Sequence, residues 1–148
     1  MRLWTDPGFL KTVGDMLMFW FQRNTTLSML QGLADMLRHA KQQPEYFELV
    51  KVALCRCSDV YEISFMRPGE DVYGRDIDLT ARLLALAGEG EILMNEAFHA
   101  AVIEHHSLVG DRQEFEAVGR IQGPWSQNLK GFRQPVQIYK VPPISRAE

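Results

Sequence analysis

The sequence predicts a sandwich of helices packed on a β-sheet, of the α+β or α/β class. Two β-rich runs open the chain, segments with helical spacing of apolar residues alternate with short strands after them, and a strand closes it. The predicted order is ββαβ, then αβα, then β. With 148 residues, the chain has the usual size of one domain with one hydrophobic core, so residues 1–148 are expected to form a single unit.

The opening elements form a predicted hairpin. The β-rich runs Phe9–Thr12 and Met16–Phe21 are separated by "VGD", where Gly14 can supply a positive φ and Asp15 lies at the tip. Asn24 then offers an N-cap for a helix that reaches His39 and ends before Pro44. The apolar face expected for this helix consists of Leu27, Leu30, Ala34 and Leu37.

A strand over Phe47–Cys57 is expected next, because most of its residues are apolar. A turn is expected at "MRPGED" from its Pro-Gly pair, and a helix over Asp76–Ala87. The spacing i, i+4, i+7, i+11 on this helix predicts an apolar face formed by Ile77, Ala81, Leu84 and Gly88.

The last part of the chain contains two further predicted strands. A short strand "EIL" follows Gly90, and Asn95 is a plausible N-cap for a helix that carries Phe98 and Val102. The final strand is Val136–Val141, which two prolines end.

Composition excludes several classes of function. The 16 basic and 19 acidic residues give a formal charge of −3, so a basic nucleic-acid-binding face has no support. No apolar run reaches the roughly 20 residues of a membrane span, and no signal peptide is recognisable. Cys55 and Cys57 lack further ligands at metal-binding spacing, so they are expected to be reduced thiols on one face of a strand, in a cytoplasmic protein.

Three segments together resemble the class III adenylate and guanylate cyclase catalytic domain. They are "KTVGD" from Lys11, "DVYGRDIDLTARLLALAGEGEILMNEA" from Asp71 and "LKGFRQPVQIYKV" from Leu129. Their order and approximate spacing match the family, over Phe9 to Val141. The resemblance implies a ferredoxin-like sandwich with a mainly antiparallel sheet. It also implies formation of a 3′,5′-cyclic nucleotide and pyrophosphate at the interface of two such domains.

The resemblance assigns roles to five residues. Asp15 matches the second aspartate that holds the two divalent ions, Mg²⁺ or Mn²⁺. Lys11 and Asp71 match the pair that recognises the purine, which favours ATP over GTP. Arg82 matches the transition-state arginine, and Asp78 stands where the family has an asparagine. The implied partners are ATP and a second cyclase domain, in a homodimer or heterodimer.

Ordinary structural roles remain open for three of these residues. Lys11 on a strand can be a solvated lysine, Asp15 at a hairpin tip is a good turn former, and Asp71 can serve the turn before the helix. Asp78 and Arg82, spaced i, i+4 with the acid first, equally suit a helix ion pair, which would divert the arginine from phosphate. A carboxylate in the asparagine's place would also repel a polyanion.

The sequence departs from the family pattern in two more places. The family's first metal aspartate lies on an opening strand well before "KTVGD", and Lys11 is too near the first residue for it to be included. The family's first, central strand is therefore expected to be absent, which would leave a sheet edge to be covered or paired. Between Val52 and Gly69 there is also no glycine of the kind that permits close backbone approach to a nucleotide.

Two functions of different class follow. One is a nucleotide cyclase: the chain is the C-terminal part of a longer cyclase, or it pairs with a chain that supplies both metal aspartates while this one supplies Lys11, Asp71 and Arg82. The other is an inactive cyclase-homology module that acts in signalling by dimerisation or nucleotide binding.

Overall fold

The computed structural model describes residues 9–13, 15–20, 26–58, 61–63, 71–108 and 112–144. The strands are β1 (Phe9–Val13), β2 (Met16–Trp20), β3 (Val52–Leu54), β4 (Tyr61–Ile63), β5 (Asp71–Tyr73), β6 (Ile92–Asn95), β7 (Gln122–Gln127) and β8 (Val136–Val141). The helices are α1 (Thr26–Gln42), α2 (Pro44–Phe47), α3 (Arg75–Leu86), α4 (Glu96–Leu108) and α5 (Arg112–Gly119).

A four-stranded mixed sheet in the order β3-β6-β8-β7 organises the fold. β3 runs parallel to β6, whereas β6 and β7 both run antiparallel to β8. Helices cover both faces of this sheet, which confirms the α+β sandwich predicted from the sequence. Within the described ranges, none of the helices has the length and apolar character needed to cross a membrane.

The larger core lies between one face of the sheet and helices α1, α4 and α5. Side chains of β3, β6 and β8 that point to this face pack with the helices in one cluster. Its fully buried large members are Leu30, Leu33, Ile92, Met94, Val102 and Val141. The face predicted for α1 is confirmed at Leu30, Ala34 and Leu37, while the side chain of Leu27 and the predicted cap Asn24 lie outside the description.

Helix α3 covers the opposite face of the sheet. Leu79, Leu83 and Ala87 are its buried residues, and they pack against Leu93 and Ile138. The apolar face predicted for this helix was therefore wrong. Ala81 is exposed, and Ile77, Leu84 and Gly88 are only half-buried. Since leucine and alanine are frequent all around this helix, several apolar stripes fit a 3.6-residue period, and contact with the sheet selects one of them.

The hairpin of β1 and β2 forms as predicted, with pairs from Phe9 opposite Trp20 to Val13 opposite Met16. Asp15 lies in the connecting turn, and Gly14 lies outside the described residues. In the described structure the hairpin is a separate two-stranded sheet, as is the antiparallel pair of β4 and β5. The four-stranded sheet therefore ends at β3 on one side.

The strand predicted over Phe47–Cys57 is much shorter in the structure. Pro44 occupies the first turn of α2, and the N–H groups of Leu49 and Val50 bond back to the carbonyls of Tyr46 and Phe47. These turn bonds keep Leu49 and Val50 out of the sheet and exposed. Cys55 and Cys57 consequently follow β3 rather than lying within it.

The other secondary-structure predictions have different outcomes. The final strand and the short strand after Gly90 are confirmed, and α3 differs from its predicted bounds by one residue at each end. Of the turn expected at "MRPGED", residues 66–70 lie outside the described residues, and its last residue, Asp71, begins β5. Helices α2 and α5 and strands β4, β5 and β7 were not predicted.

Candidate functional site

The outer face of α3 carries the two helix residues singled out from the sequence. Asp78 and Arg82 are both exposed, one helical turn apart. Leu79, which follows Asp78 in the chain, and Leu83, which follows Arg82, are buried against the sheet. The helix is thus fixed by its inner face, and its two charged side chains point away from the core.

Of the two alternatives left open for Asp78 and Arg82, the helix ion pair is not formed in the described structure. In the described part of the chain, the Arg82 guanidinium makes neither an ion pair nor a hydrogen bond. The Asp78 backbone N–H donates to the Gly74 carbonyl at 3.1 Å, which is the first bond of the helix. Arg82 therefore retains its full set of donors for another group.

The first turn of α3 is tied to the loop that follows β3. The backbone N–H and hydroxyl of Ser58 both donate to Oδ2 of Asp76, at 2.8 and 3.2 Å. The Thr80 hydroxyl donates to the Asp76 carbonyl at 2.7 Å. Charge-assisted bonds of this kind are stronger than neutral ones, so Asp76 sets the position of the helix start relative to β3. The sequence offered no local signal for this contact, because Ser58 and Asp76 are 18 residues apart.

The connection between β7 and β8 holds the other side of the same helix turn. The Arg75 guanidinium lies 5.0 Å from the centre of the Phe132 ring, within the range of a cation–π interaction. Leu129, Phe132 and Val136 also pack against the cluster that contains Leu79 and Leu83. Contacts from two separate loops therefore restrain the direction in which Asp78 and Arg82 project.

Cys55 lies beneath this helix. Burial raises the pKa of its thiol from 9.0 to about 11; the Thr80 hydrogen bond lowers the pKa in part, and the Asp76 charge raises it. The thiolate is the reactive form of cysteine, so Cys55 is an inert packing residue at neutral pH. Neither Cys55 nor Cys57 forms a disulfide in the described structure, in agreement with the reduced thiols expected from the sequence.

Asn95 joins the carboxyl ends of the two parallel strands. Its Oδ1 accepts from the backbone N–H groups of Arg56, at 3.1 Å, and Phe98, at 2.9 Å, while its Nδ2 donates to the Arg56 carbonyl at 3.1 Å. The predicted N-cap of α4 is therefore confirmed. The same amide also clamps the chain after β3 to the end of β6, a role that the sequence did not indicate.

The remaining site residues predicted from the sequence lie on other elements. Lys11 is on β1 opposite Met18, and Asp71 is on β5 opposite Ile63. Asp15 is exposed in the hairpin turn. The positions of the Lys11 and Asp71 side chains lie outside the description. No ion pair joins the described side chains of Asp15 and Arg82.

The described residues of one chain do not fit a pair of divalent ions. No group of three or more histidine, cysteine, aspartate or glutamate side chains among them could hold a metal ion. Asp15 supplies one carboxylate, whereas hard cations such as Mg²⁺ and Mn²⁺ take several oxygen ligands each. A complete metal site would need donors from elsewhere.

Comparison with solved structures identifies the fold. The chain is similar to the adenylyl cyclase CyaB from P. aeruginosa, with 21% identity and a TM-score of 0.55 over 93% of this chain and 72% of that one. It is also similar to an adenylate/guanylate cyclase/hydrolase from Silicibacter pomeroyi, with 18% identity and a TM-score of 0.60 over 91% of this chain and 72% of that one. The third similar structure is the guanylyl cyclase Cya2, with 21% identity and a TM-score of 0.57 over 93% of this chain and 71% of that one. No family model and no curated protein matches the sequence.

These similarities confirm at the level of fold what the sequence motifs indicated. The chain has a class III cyclase-like fold, in a divergent sequence.

Proposed function

We propose that this chain is a nucleotide-cyclase-like domain that forms one side of a nucleoside triphosphate site shared with a second cyclase domain. It supplies Arg82 to the triphosphate and Lys11 and Asp71 to the purine, and the second domain supplies the carboxylates that Asp15 cannot replace alone. The class III cyclase-like fold is the background of the proposal. The observation that carries it is Arg82, an exposed guanidinium on a restrained helix, for which the described residues provide no partner.

Physical reasons favour a phosphate ligand for this guanidinium. Arginine presents a planar set of donors that matches phosphate oxygens, and its charge offsets the negative charge that develops when a phosphate bond is displaced. Preorganisation adds to this, since the packing of Leu79 and Leu83 and the contacts of Asp76 fix the helix before a ligand binds. Asp78 opposes binding, because a carboxylate one turn away lowers the local positive potential.

Purine recognition forms the less direct part of the proposal. A lysine can donate to a ring nitrogen, and an aspartate can accept from the amino group of adenine. ATP is therefore the preferred nucleotide and GTP the second candidate. The divalent ions supply Lewis-acid chemistry in enzymes of this class, and the described residues of one chain do not provide their full donor set.

One structural observation favours a second function. Among the described residues, Asp15 belongs to no group of three or more side chains that could hold a metal ion, and the hairpin of each identical chain would bring one such aspartate. A module that binds nucleotide or dimerises in signalling, without turnover, needs no second aspartate.

Incubation of the purified chain, alone and mixed with a cyclase domain that carries both metal aspartates, with Mn²⁺ and either ATP or GTP, followed by chromatography for the cyclic product, separates the two functions. Lys11→Ala and Arg82→Ala serve as matched variants. Product that both variants lose identifies the cyclase. Absence of product, with nucleotide binding that Arg82→Ala weakens, identifies the binding module. If the unchanged chain neither turns over nor binds either nucleotide, the proposal is wrong.

A further inference from the structure

The outer face of α3 is exposed in the described structure. The helix packs on the sheet through Leu79 and Leu83, which leaves its opposite side to solvent. At 3.6 residues per turn, four exposed residues share this side within an arc of about 100°. They are Asp78, Ala81, Arg82 and Ala85. The sheet therefore holds the helix in place while these four side chains remain accessible to another molecule.

Two of these residues carry opposite charges. The described residues provide neither the Asp78 carboxylate nor the Arg82 guanidinium with an ion-pair or side-chain hydrogen-bond partner. The two charges lie one helical turn apart, so the face carries a negative and a positive group along the direction of the helix axis. The same face turned end for end presents these charges in the opposite order.

This arrangement makes the face complementary to a second copy of itself. In a dimer with a twofold axis the same patch of each subunit meets its counterpart, and an axis perpendicular to α3 makes the two helices antiparallel. Thr80 lies midway between Asp78 and Arg82 in the helix. An axis at its level brings Asp78 of each copy beside Arg82 of the other. All four charges are then paired, in two equivalent ion pairs.

The alanines on the same face allow the two helices to approach closely. Ala81 lies next to the level of this axis, and Ala85 follows one turn later. The axes of packed helices are about 8–10 Å apart, depending on the side chains at the contact, and small side chains permit the shorter distances. A close approach displaces water from between the charges, which strengthens their attraction relative to that on an open surface.

Large apolar side chains flank the charged residues at both ends of the helix. Tyr73, on β5 just before the helix, is 52% exposed, and Leu86, the last residue of the helix, is 46% exposed. An antiparallel pair places the start of one helix beside the end of the other. Tyr73 of each copy is then close to Leu86 of the other, and their contact removes apolar surface from water.

We propose that the outer face of α3 is a self-association surface, on which two copies of this chain pair antiparallel with Asp78 of each bound to Arg82 of the other. Charge complementarity selects a second copy as the occupant, since a purely acidic or basic partner would satisfy only one of the two charges. A contact based on one helix is smaller than the roughly 1,200–2,000 Å² of stable complexes, so the dimer is weak and reversible.

The pairing also regulates the nucleotide site, a consequence that rests on the proposed function. An Arg82 guanidinium that binds the Asp78 carboxylate of a second copy is withdrawn from a triphosphate, so this dimer is a closed state of the site. The pairing itself requires no nucleotide. Because the tests below contain none, their failure is distinguishable from failure of the proposed function.

Sedimentation equilibrium of the purified chain, up to about 1 mM, tests the pairing. The unchanged chain is expected to dimerise reversibly. Asp78→Arg and Arg82→Asp should each weaken the dimer by about tenfold or more, because like charges then face each other across the axis. A chain that is monomeric at every concentration, or a dimer that both variants retain at full strength, would overturn the inference.

An equal mixture of these two variants tests the reciprocal geometry. When a chain with Asp78→Arg meets a chain with Arg82→Asp, each contact again joins opposite charges. Association of the mixture should therefore return to within about threefold of that of the unchanged chain. Only folded chains can restore the dimer, so this result also excludes misfolding of the variants. A mixture that associates no better than the single variants would refute the pairing.

Two further variants separate this contact from a general effect of charge. Arg112→Asp makes the same reversal on α5, which packs on the other face of the sheet, and should leave association unchanged. Loss of the dimer in this variant would overturn the inference. Ala81→Trp keeps every charge and blocks the close approach of the helices, so it should weaken the dimer by about tenfold or more. Unaltered association of Ala81→Trp would place the contact elsewhere and contradict the proposed surface.

Discussion

Arg82 follows Asp78 by one helical turn on the exposed face of α3, and in the described structure the two side chains form no ion pair. Their spacing and order are those that favour such a pair, but an exposed pair of this type gains only about 0.3–0.5 kcal/mol. A gain this small does not commit the guanidinium to its neighbour. Arg82 is therefore available to a stronger anion.

Asp78→Asn tests the electrostatic part of this arrangement. Removing the carboxylate removes its repulsion of a polyanionic ligand, and the amide can donate a hydrogen bond. We expect α,β-methylene-ATP to bind about two- to fivefold more tightly, from a Coulomb interaction of up to about 1 kcal/mol in water. Calorimetric titration measures the change, and Glu89→Gln, an exposed acid beyond the end of the helix, is the charge-matched control. Equal tightening by both variants would show a general charge effect instead of a local one.

Leu83→Ala tests which face of α3 packs on the sheet. Leu83 is fully buried, so truncation should lower the free energy of unfolding by about 2–5 kcal/mol. Leu84→Ala makes the same chemical change at the half-buried neighbour and should cost clearly less. Urea denaturation of both variants gives the comparison. A larger loss for Leu84→Ala would support the face first predicted from the sequence and contradict the structure.

Asn95→Ala tests the clamp between the ends of β3 and β6. The substitution removes the cap of α4, worth about 1 kcal/mol, and leaves the backbone groups of Arg56 without their partner. We expect a total loss of about 2–3 kcal/mol in urea denaturation. Asn95→Asp keeps the accepting oxygen and loses only the donor to the Arg56 carbonyl, so it should be less damaging. Equal stability of the alanine variant and the unchanged chain would exclude the clamp.

The raised pKa of Cys55 predicts a loss of stability at alkaline pH. Because burial holds the pKa near 11 in the folded state against 9.0 for an ordinary thiol, the unfolded chain releases this proton first as pH rises. The contribution is complete below pH 9 and lost as pH rises through about 11. The free energy of unfolding should thus fall more steeply above pH 9 in the unchanged chain than in Cys55→Ala. Cys57→Ala is the control; identical slopes for the unchanged chain and Cys55→Ala would contradict the assignment.

Local signals were enough to predict several elements. The hairpin between Phe9 and Trp20 follows from apolar runs on either side of "VGD", and the cap at Asn95 follows from its place before an apolar helix. The strand Val136–Val141 is bounded by Pro135 and Pro142, which make its limits clear. In each case the residues that decide the structure are close together in the chain.

Non-local contacts decided the elements that were missed or misplaced. β7 reads "QGPWSQ", polar and with both glycine and proline, and only its pairing with β8 makes it a strand. The inward face of α3 was ambiguous until Leu93, Ile138 and the segment around Phe132 selected Leu79 and Leu83. The tie between Ser58 and Asp76 likewise depends on tertiary geometry.

Binding of α,β-methylene-ATP to Arg82→Ala, measured by calorimetry, tests the central claim most directly. Loss of charged hydrogen bonds worth about 1.5–3 kcal/mol should weaken binding by about tenfold or more, and Arg82→Lys should recover only part of it. Arg112→Ala, an exposed arginine on α5, should bind like the unchanged chain. Unaltered affinity of Arg82→Ala, in a chain that binds the analogue, would contradict a triphosphate site at this helix.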